Sequence, residues 1–178
     1  GTQLNGNVLL NSTGASTGIR FGQNNGTVSL ANTKTIGIGG SGFSAGNLYI
    51  RNFTQVGATA QAMTTFAGTV IVYLQTGTTF NGAVTFTAPQ MYLNGATFNG
   101  VTILEKNGAT NNAGTGGNTF ANTTTLINSG TGYFMTGNGT GDNFNGDLTL
   151  TNTGVVVYVA YATGETYFNG NIVVNNTG

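Results

Sequence analysis

The sequence predicts an all-β fold, a right-handed parallel β-helix (β-solenoid) of about eight coils with roughly 14–24 residues each. Three observations lead to this prediction. The composition suits strands and turns rather than helices, a short motif that begins with an aromatic residue recurs along the chain, and its last copies align at a constant spacing.

The composition is that of a turn-rich β protein. Among the 178 residues there are 31 glycines and one proline, and Thr and Asn together make up about a third. These residues form helices poorly, whereas the short apolar runs Val70–Leu74 and Val155–Val159 suit pleated strands. Disorder is the alternative for such a composition, but β-branched runs bounded by turn residues argue against it.

The recurring motif is an aromatic residue, Asn or Ala, Gly or Asn, and then alternating apolar positions. Weaker copies begin at Leu4 and Phe66, and further ones are expected near Phe21 and Phe43. The clear copies are Phe80-Asn81-Gly82, Phe98-Asn99-Gly100, Phe120-Ala121-Asn122, Phe144-Asn145-Gly146 and Phe168-Asn169-Gly170.

The last three copies begin at Phe120, Phe144 and Phe168, and this constant spacing holds over their whole length. Each unit is expected to hold three strands, which in one unit cover 147–151, 155–160 and 166–168, with glycine between them. Three short strands per unit with Gly and Asn corners are typical of a parallel β-helix. Antiparallel hairpins or a β-sandwich are the alternative, since Asn-Gly also marks hairpins.

Stacking of coils places like residues above like residues. We therefore predict an inward ladder of phenylalanines and a corner ladder of asparagines whose amides bond along the stack. The predicted ladder residues are Phe66, Phe80, Phe98, Phe120, Phe144, Phe168, Asn128, Asn152 and Asn176.

The beginning of the chain resembles its end. Residues 2–14 align without gaps on residues 166–178, and seven of these 13 positions are identical. The alignment predicts that 1–178 is a single solenoid segment, one period of about 164 residues in a tandem or end-to-end array. The expected partner is therefore another copy of the chain.

The segments Phe144-Asn-Gly-Asp-Leu-Thr-Leu-Thr-Asn-Thr-Gly154 and Phe168-Asn-Gly-Asn-Ile-Val-Val-Asn-Asn-Thr-Gly178 resemble repeats of very large secreted surface proteins of Bacteroidota-type bacteria. Those proteins are adhesin-like or filament-forming. The resemblance implies an exported, extracellular, structural and adhesive fibre segment, and it supplies no catalytic residues.

The composition argues against several classes of function. The chain has no Cys and no His, so thiolate chemistry and His-based catalysis are excluded. Its four basic residues are scattered and the net charge is zero, which argues against nucleic-acid binding. No apolar run is long enough to span a membrane. The sequence begins without a signal peptide or an initiating Met, so we expect it to be a processed or excised piece.

An enzyme of the pectate-lyase type would need several carboxylates in one groove. Asp142, Asp147 and Glu165 are expected on one edge, yet without a neighbouring base they are interpreted as solvated turn residues; Glu105 is the fourth acid. We predict no enzyme, no cofactor and no metal site. Calcium at 136–142 is disfavoured because this segment offers one carboxylate.

The alternative function is a glycan-binding module that uses exposed tyrosine or threonine faces, with surface glycans as the partner. Tyrosine recurs about once or twice per coil, although it also packs well in ordinary sheets. The tyrosines are Tyr49, Tyr73, Tyr92, Tyr133, Tyr158, Tyr161 and Tyr167.

Overall fold

The computed structural model describes residues 1–14, 18–64, 66–161 and 163–178. Over these residues it contains strands, turns and no helix. The strands are β1 Thr2–Leu4, β2 Val8–Ser12, β3 Ile19–Phe21, β4 Val28–Leu30, β5 Ile36–Phe43, β6 Asn47–Ile50, β7 Phe53–Gln55, β8 Gln61–Met63, β9 Ile71–Gln75, β10 Thr79–Phe80, β11 Val84–Ala88, β12 Gln90–Asn94, β13 Thr97–Phe98, β14 Thr102–Lys106, β15 Asn112–Ala113, β16 Thr119–Phe120, β17 Thr124–Asn128, β18 Phe134–Met135, β19 Asn143–Phe144, β20 Leu148–Asn152, β21 Val157–Tyr158, β22 Tyr167–Phe168 and β23 Ile172–Asn176.

Every third strand of the chain joins the same sheet, and the pairings between named strands are parallel. One sheet has eight strands in the order β1-β4-β7-β10-β13-β16-β19-β22. A second has six in the order β23-β20-β17-β14-β11-β8, and β2 pairs with β5. The third side holds β3-β6-β9-β12 and β15-β18-β21. The prediction of a parallel β-solenoid is confirmed, and the hairpin and sandwich alternatives are wrong.

The turns are fewer and longer than the motif spacing predicted. Eight strands in the first sheet enclose seven complete turns. Thr2 is in register with Val28 and Thr79 with Thr97, so an early turn is longer than a central one. The shortest predicted coil extends from Phe66 to Phe80. It is not a complete turn, because Phe66 pairs with Phe43 and does not lie on the same side of the solenoid as Phe80.

Alternation of side chains along each strand separates the interior from the surface. Strands β9, β11, β12, β14 and β17 place every second residue inside, as period-2 geometry requires. The core runs without interruption from Leu10 in the first turn to Leu148 in the seventh, and central members such as Phe86 and Leu104 have no exposed surface. Each turn buries its apolar side chains only because neighbouring turns cover them.

The motif glycines are required by close approach of successive turns. A Cβ on Gly100 would lie 2.4 Å from the backbone of Gly82, and a Cβ on Gly146 would lie 2.4 Å from the backbone of Asn122. Neither backbone has a left-handed φ, so conformational freedom is not the reason for glycine at these corners. Absence of a side chain lets the corners stack at ladder distance.

Over the described residues, no helix has the length and hydrophobicity needed to cross a membrane.

Candidate functional site

Five of the six predicted ladder phenylalanines form one stack along the interior. The centroids of successive rings lie 5.8, 5.1, 4.7 and 5.4 Å apart, and their planes differ by 14° at most. The rings are buried except for the last, which is half-buried in the final turn. The stack consists of Phe80, Phe98, Phe120, Phe144 and Phe168.

Phe66, the sixth predicted member, lies elsewhere. Its ring packs edge-on against Phe43 at 5.2 Å, and the two residues form an isolated parallel bridge. The ring that precedes Phe80 belongs to Phe53, at 5.8 Å and a plane angle of 44°. Several corners begin with an inward aromatic residue, so the motif alone does not distinguish the sides of the solenoid.

The corner asparagines occupy one column, as their constant spacing predicted. Asn128 is in register with Asn152, which is in register with Asn176. The Asn152 Nδ2 donates to the Asn176 Oδ1 at 2.8 Å. The Asn128 Nδ2 instead donates to the backbone oxygens of Gly132 and Val156, each at 3.1 Å. The amide ladder therefore joins the last two members only.

Amide ladders also form at the second motif position. The Asn99 Nδ2 donates to the Asn81 Oδ1 at 2.7 Å, and the Asn169 Nδ2 donates to the Asn145 Oδ1 at 2.9 Å. Ala121 interrupts this row between them. Each amide bonds to its counterpart one turn away, which is the arrangement expected of stacked asparagines.

A lysine continues the asparagine column toward the beginning of the chain. Lys106 is in register with Asn128 and has no exposed surface. Its Nζ donates to the Gly132 backbone oxygen at 2.8 Å and also to the Gly108 oxygen. The ammonium group thus satisfies corner carbonyls from two turns. The offset between Phe98 and Phe120 is the same as that between Lys106 and Asn128, so alignment of the motif copies is the sequence signal that places Lys106 at this corner.

Burial lowers the pKa of Lys106 from 10.5 to about 8. The folded protein therefore releases this proton at a lower pH than the unfolded chain does. Between about pH 8 and pH 10.5 the unfolded chain binds more protons, so the free energy of unfolding contributed by this group rises with pH.

We expect the midpoint urea concentration for unfolding of the wild-type protein to increase, relative to that of Lys106→Met, as pH rises from about 7 to about 9.5. The Met variant keeps the length of the side chain and lacks the titrating group, so the difference between the two curves isolates Lys106. Parallel curves would contradict a lowered pKa at this position.

A second buried polar column lies just before the phenylalanine stack. The Asp142 Oδ1 accepts hydrogen bonds from the Asn118 backbone N–H at 2.9 Å and from the Asn118 Nδ2 at 2.8 Å. The Asn118 Oδ1 accepts from the backbone N–H groups of Gly95 and Ala96, both at 3.0 Å. Burial raises the pKa of the Asp142 carboxyl, while the hydrogen bonds from Asn118 oppose the rise.

The three carboxylates expected on one edge are in different environments. Asp142 is 1% exposed, so its interpretation as a solvated turn residue is wrong. Asp147 and Glu165 are exposed; the Asp147 Oδ1 accepts from the Asn171 backbone N–H at 2.8 Å, and Glu165 accepts from the Tyr167 hydroxyl. Among the described residues, no cluster of three or more acidic, His or Cys side chains is placed to hold a metal ion.

Three of the tyrosines form an outward column on the third side. Tyr49, Tyr73 and Tyr92 are in register, with ring centroids 4.6 and 5.0 Å apart and nearly parallel planes. The Arg20 guanidinium lies 4.2 Å from the Tyr49 centroid and extends the column by one turn. Because the rings stack on one another, their edges and hydroxyls face solvent while most of their faces do not.

A small polar pocket lies beside the first turns of this column. It has a volume of about 150 Å³ and contains two of the chain's four basic residues. The Arg20 Nη1 donates to the Gln23 Oε1 at 2.9 Å, which helps to hold the guanidinium at the pocket. The lining residues are Arg20, Phe21, Gln23, Tyr49, Arg51 and Gln75.

The two ends of the solenoid are in phase. Strands β1 and β22 are the outermost strands of the same eight-stranded sheet. Strand β23 pairs with β20 on one side and has no partner among the described residues on the other. Its residues Ile172, Val173 and Val174 are 48%, 50% and 64% exposed.

An open groove of about 230 Å³ adjoins this last strand. Val155 and Val174 line it, and both are strongly exposed. In central turns, the residues in register with Val174, such as Leu104 and Leu126, are fully buried by the following turn. The groove is thus the solenoid interior at a point where no further turn covers it.

No protein-family model, no curated protein and no solved structure matches the chain. Three features of the structure bear on function: the interior ladders, the uncovered ends, and the outward column of Arg20 and tyrosines.

Proposed function

We propose that this chain is a segment of a stiff, non-catalytic β-solenoid rod in a bacterial extracellular fibre or adhesin stalk. Copies of the segment continue the rod, either in tandem within one chain or by end-to-end stacking. The observation that carries the proposal is the matching phase of the two ends: β1 and β22 flank one sheet, and the apolar strand β23 has a partner on one edge only among the described residues.

The uncovered end favours addition of another turn. A free parallel edge presents unpaired N–H and C=O groups that another strand satisfies. Burial of an apolar side chain such as Val174 stabilises by about 1.5–3 kcal/mol, and the open groove beside it has room for side chains of a following turn. Since the end segments are identical at seven of 13 aligned positions, the added turn has a side-chain pattern that suits the edge.

The distribution of charge supports head-to-tail addition. Arg20, Lys34 and Arg51 lie in the first turns, whereas Asp147 and Glu165 are exposed in the last ones. Basic and acidic residues are equal in number, so the net charge is zero although the two kinds are unevenly distributed along the rod. Head-to-tail contact brings the basic turns of one copy toward the acidic turns of the next, which steers association in one direction.

Composition and structure support the remaining parts of the proposal. Asp142, one of the three acids expected on one edge, is buried and hydrogen-bonded to Asn118. Parallel backbone pairing and stacked side chains stabilise the solenoid without disulfides. Such a stack can be extended turn by turn, as a long extracellular rod requires. The resemblance of 144–154 and 168–178 to repeats of secreted surface proteins supports the extracellular location.

A single substitution at the uncovered end tests the proposal. We expect the wild-type chain at high concentration to form fibres about one solenoid wide, visible by negative-stain electron microscopy. Val174→Lys places a charge in the inward column of the last turn, where a stacked turn would bury it. This variant is expected to remain a monomer in sedimentation velocity experiments.

Thr125→Lys is the matched control, because it adds the same charge on the outward face of β17, two turns before the last strand of that sheet. It should assemble as the wild type does. If the wild-type chain stays uniformly monomeric at all concentrations, stacking of separate copies is excluded. If Thr125→Lys blocks assembly as strongly as Val174→Lys, the last strand is not the contact.

A further inference from the structure

The outward face of the third side carries a strip of polar and aromatic side chains that the fibre proposal does not use. One column of this strip is Arg20, Tyr49, Tyr73 and Tyr92. Two positions after each tyrosine come Arg51, Gln75 and Asn94, of which Arg51 and Gln75 line the polar pocket. We name these seven residues the arginine–tyrosine strip.

The strip carries two positive charges in a chain whose net charge is zero. Arg20 and Arg51 are both exposed and line the same pocket. The first acidic residue of the chain is Glu105, which lies in β14 on another side of the solenoid. With no carboxylate in the strip, the two guanidinium groups are available to an external anion.

The guanidinium of Arg20 is held in place before any ligand arrives. It stacks 4.2 Å from the Tyr49 ring centroid and donates to Gln23. A cation–π contact and a side-chain hydrogen bond restrict its rotamers, so less conformational entropy is lost when it binds a carboxylate or sulfate. Arginine also offers two parallel N–H groups to such an anion.

Stacking of the tyrosines on one another decides what kind of ligand fits. Their ring centroids lie 4.6 and 5.0 Å apart, too close for a base or a sugar ring to enter between them. Between these rings the strip therefore has no space in which the bases of a single-stranded nucleic acid could stack. It presents hydroxyl edges and the amides of Gln75 and Asn94, which suit a hydroxyl-rich chain.

The geometry points to an acidic glycan as the ligand of the arginine–tyrosine strip. The acid groups of the glycan, carboxylates of uronic acids or sulfate esters, bind Arg20 and Arg51 in the polar pocket. Its hydroxyls bind the amides and tyrosine hydroxyls further along the rod. This proposal is independent of the fibre proposal, since the strip lies on the side of the rod and is complete in one copy.

Titration of the monomeric Val174→Lys variant with oligogalacturonate, followed by calorimetry, tests the site without interference from assembly. We expect saturable binding that weakens as salt rises. Arg20→Gln and Arg51→Gln should each weaken it about tenfold, because each removes a charge-assisted contact. Lys34→Gln is the matched control: it removes one positive charge outside the strip and should leave the affinity within about twofold.

The same titration with a sulfated oligosaccharide shows whether the site prefers sulfate esters or carboxylates. Binding of either glycan that depends on Arg20 and Arg51 supports the site. Neutral maltooligosaccharide should not bind. The proposal is overturned if no acidic glycan binds, if Lys34→Gln weakens binding as much as the arginine variants, or if single-stranded DNA binds the strip more tightly than the glycans. Far-UV circular dichroism of each variant verifies that the fold is retained.

Discussion

Phe144→Asp is expected to lower the free energy of unfolding by more than about 4 kcal/mol. Phe144 is 1% exposed and lies between Phe120 and Phe168, with ring centroids 4.7 and 5.4 Å away. The substitution removes both stacking contacts and places a carboxylate where no described cation reaches it. Urea denaturation followed by circular dichroism measures the change.

Two control substitutions show whether the loss of stability in Phe144→Asp arises because the side chain is buried. Asn145→Asp adds the same charge one residue away on the exposed corner, and it should cost less than about 0.5 kcal/mol. Phe168→Asp should cost clearly less than Phe144→Asp, because Phe168 is half-buried and stacks on one neighbour. Phe144→Leu keeps an apolar group and should fold if the Asp variant does not. Wild-type stability in Phe144→Asp would show that the stack does not point inward.

Asp142→Leu is expected to lower the free energy of unfolding by about 3 kcal/mol. The Asp142 Oδ1 accepts two hydrogen bonds from Asn118, one from its backbone N–H and one from its Nδ2. Leucine has a similar size but accepts neither bond, so two buried donors lose their partner. Amide hydrogen exchange should locate the loss of protection at Asn118 and the turns on either side of it.

Asp142→Asn separates the hydrogen bonds from the charge. Its Oδ1 still accepts from Asn118, so the stability at neutral pH should stay within about 1 kcal/mol of the wild type. Because burial raises the pKa of Asp142 above 3.8, the folded wild type holds this proton to higher pH than the unfolded chain. Wild-type stability should therefore fall, relative to that of Asp142→Asn, as pH rises above about 4.

Equal losses in Asp142→Leu and Asp142→Asn would contradict the role assigned to the hydrogen bonds. A polysaccharide-cleaving activity that Asp142→Asn abolishes would instead indicate a catalytic carboxylate, against the non-catalytic rod. Asp142→Asn therefore tests the function as well as the stability of the corner.

The regular second half of the chain could be read from sequence because its register is constant. The predicted strands 147–151, 155–160 and 166–168 overlap β20, β21 and β22. Once copies repeat at a constant spacing, parallel stacking requires that Phe144 lie over Phe168 and Asn152 over Asn176, and they do. Constant spacing of the repeats therefore identifies which residues are in contact, which a sequence without repeats does not do.

The irregular first half could not be read in the same way. Phe66 and Phe80 share the motif, yet Phe66 contacts Phe43 on another side, and the ring before Phe80 is Phe53. The residue expected in register with Phe80 is Gln55, since Thr54 pairs with Thr79, and Gln55 is buried without being aromatic. Turn length varies here, and only the backbone pairing reveals where each turn closes.

By itself, the sequence determined the class of the fold, the parallel stacking, and the identity of side chains that repeat at one position, because in-register ladders require like residues at constant spacing. Only the tertiary structure decided which isolated residues join those ladders. Asp142 and Lys106 carry charges that favour the surface, yet both are buried, because corner N–H and carbonyl groups of neighbouring turns need hydrogen-bond partners there. The tertiary structure likewise brought Arg20 and Arg51, which are far apart in the chain, into one pocket, since one turn of the solenoid lies between them.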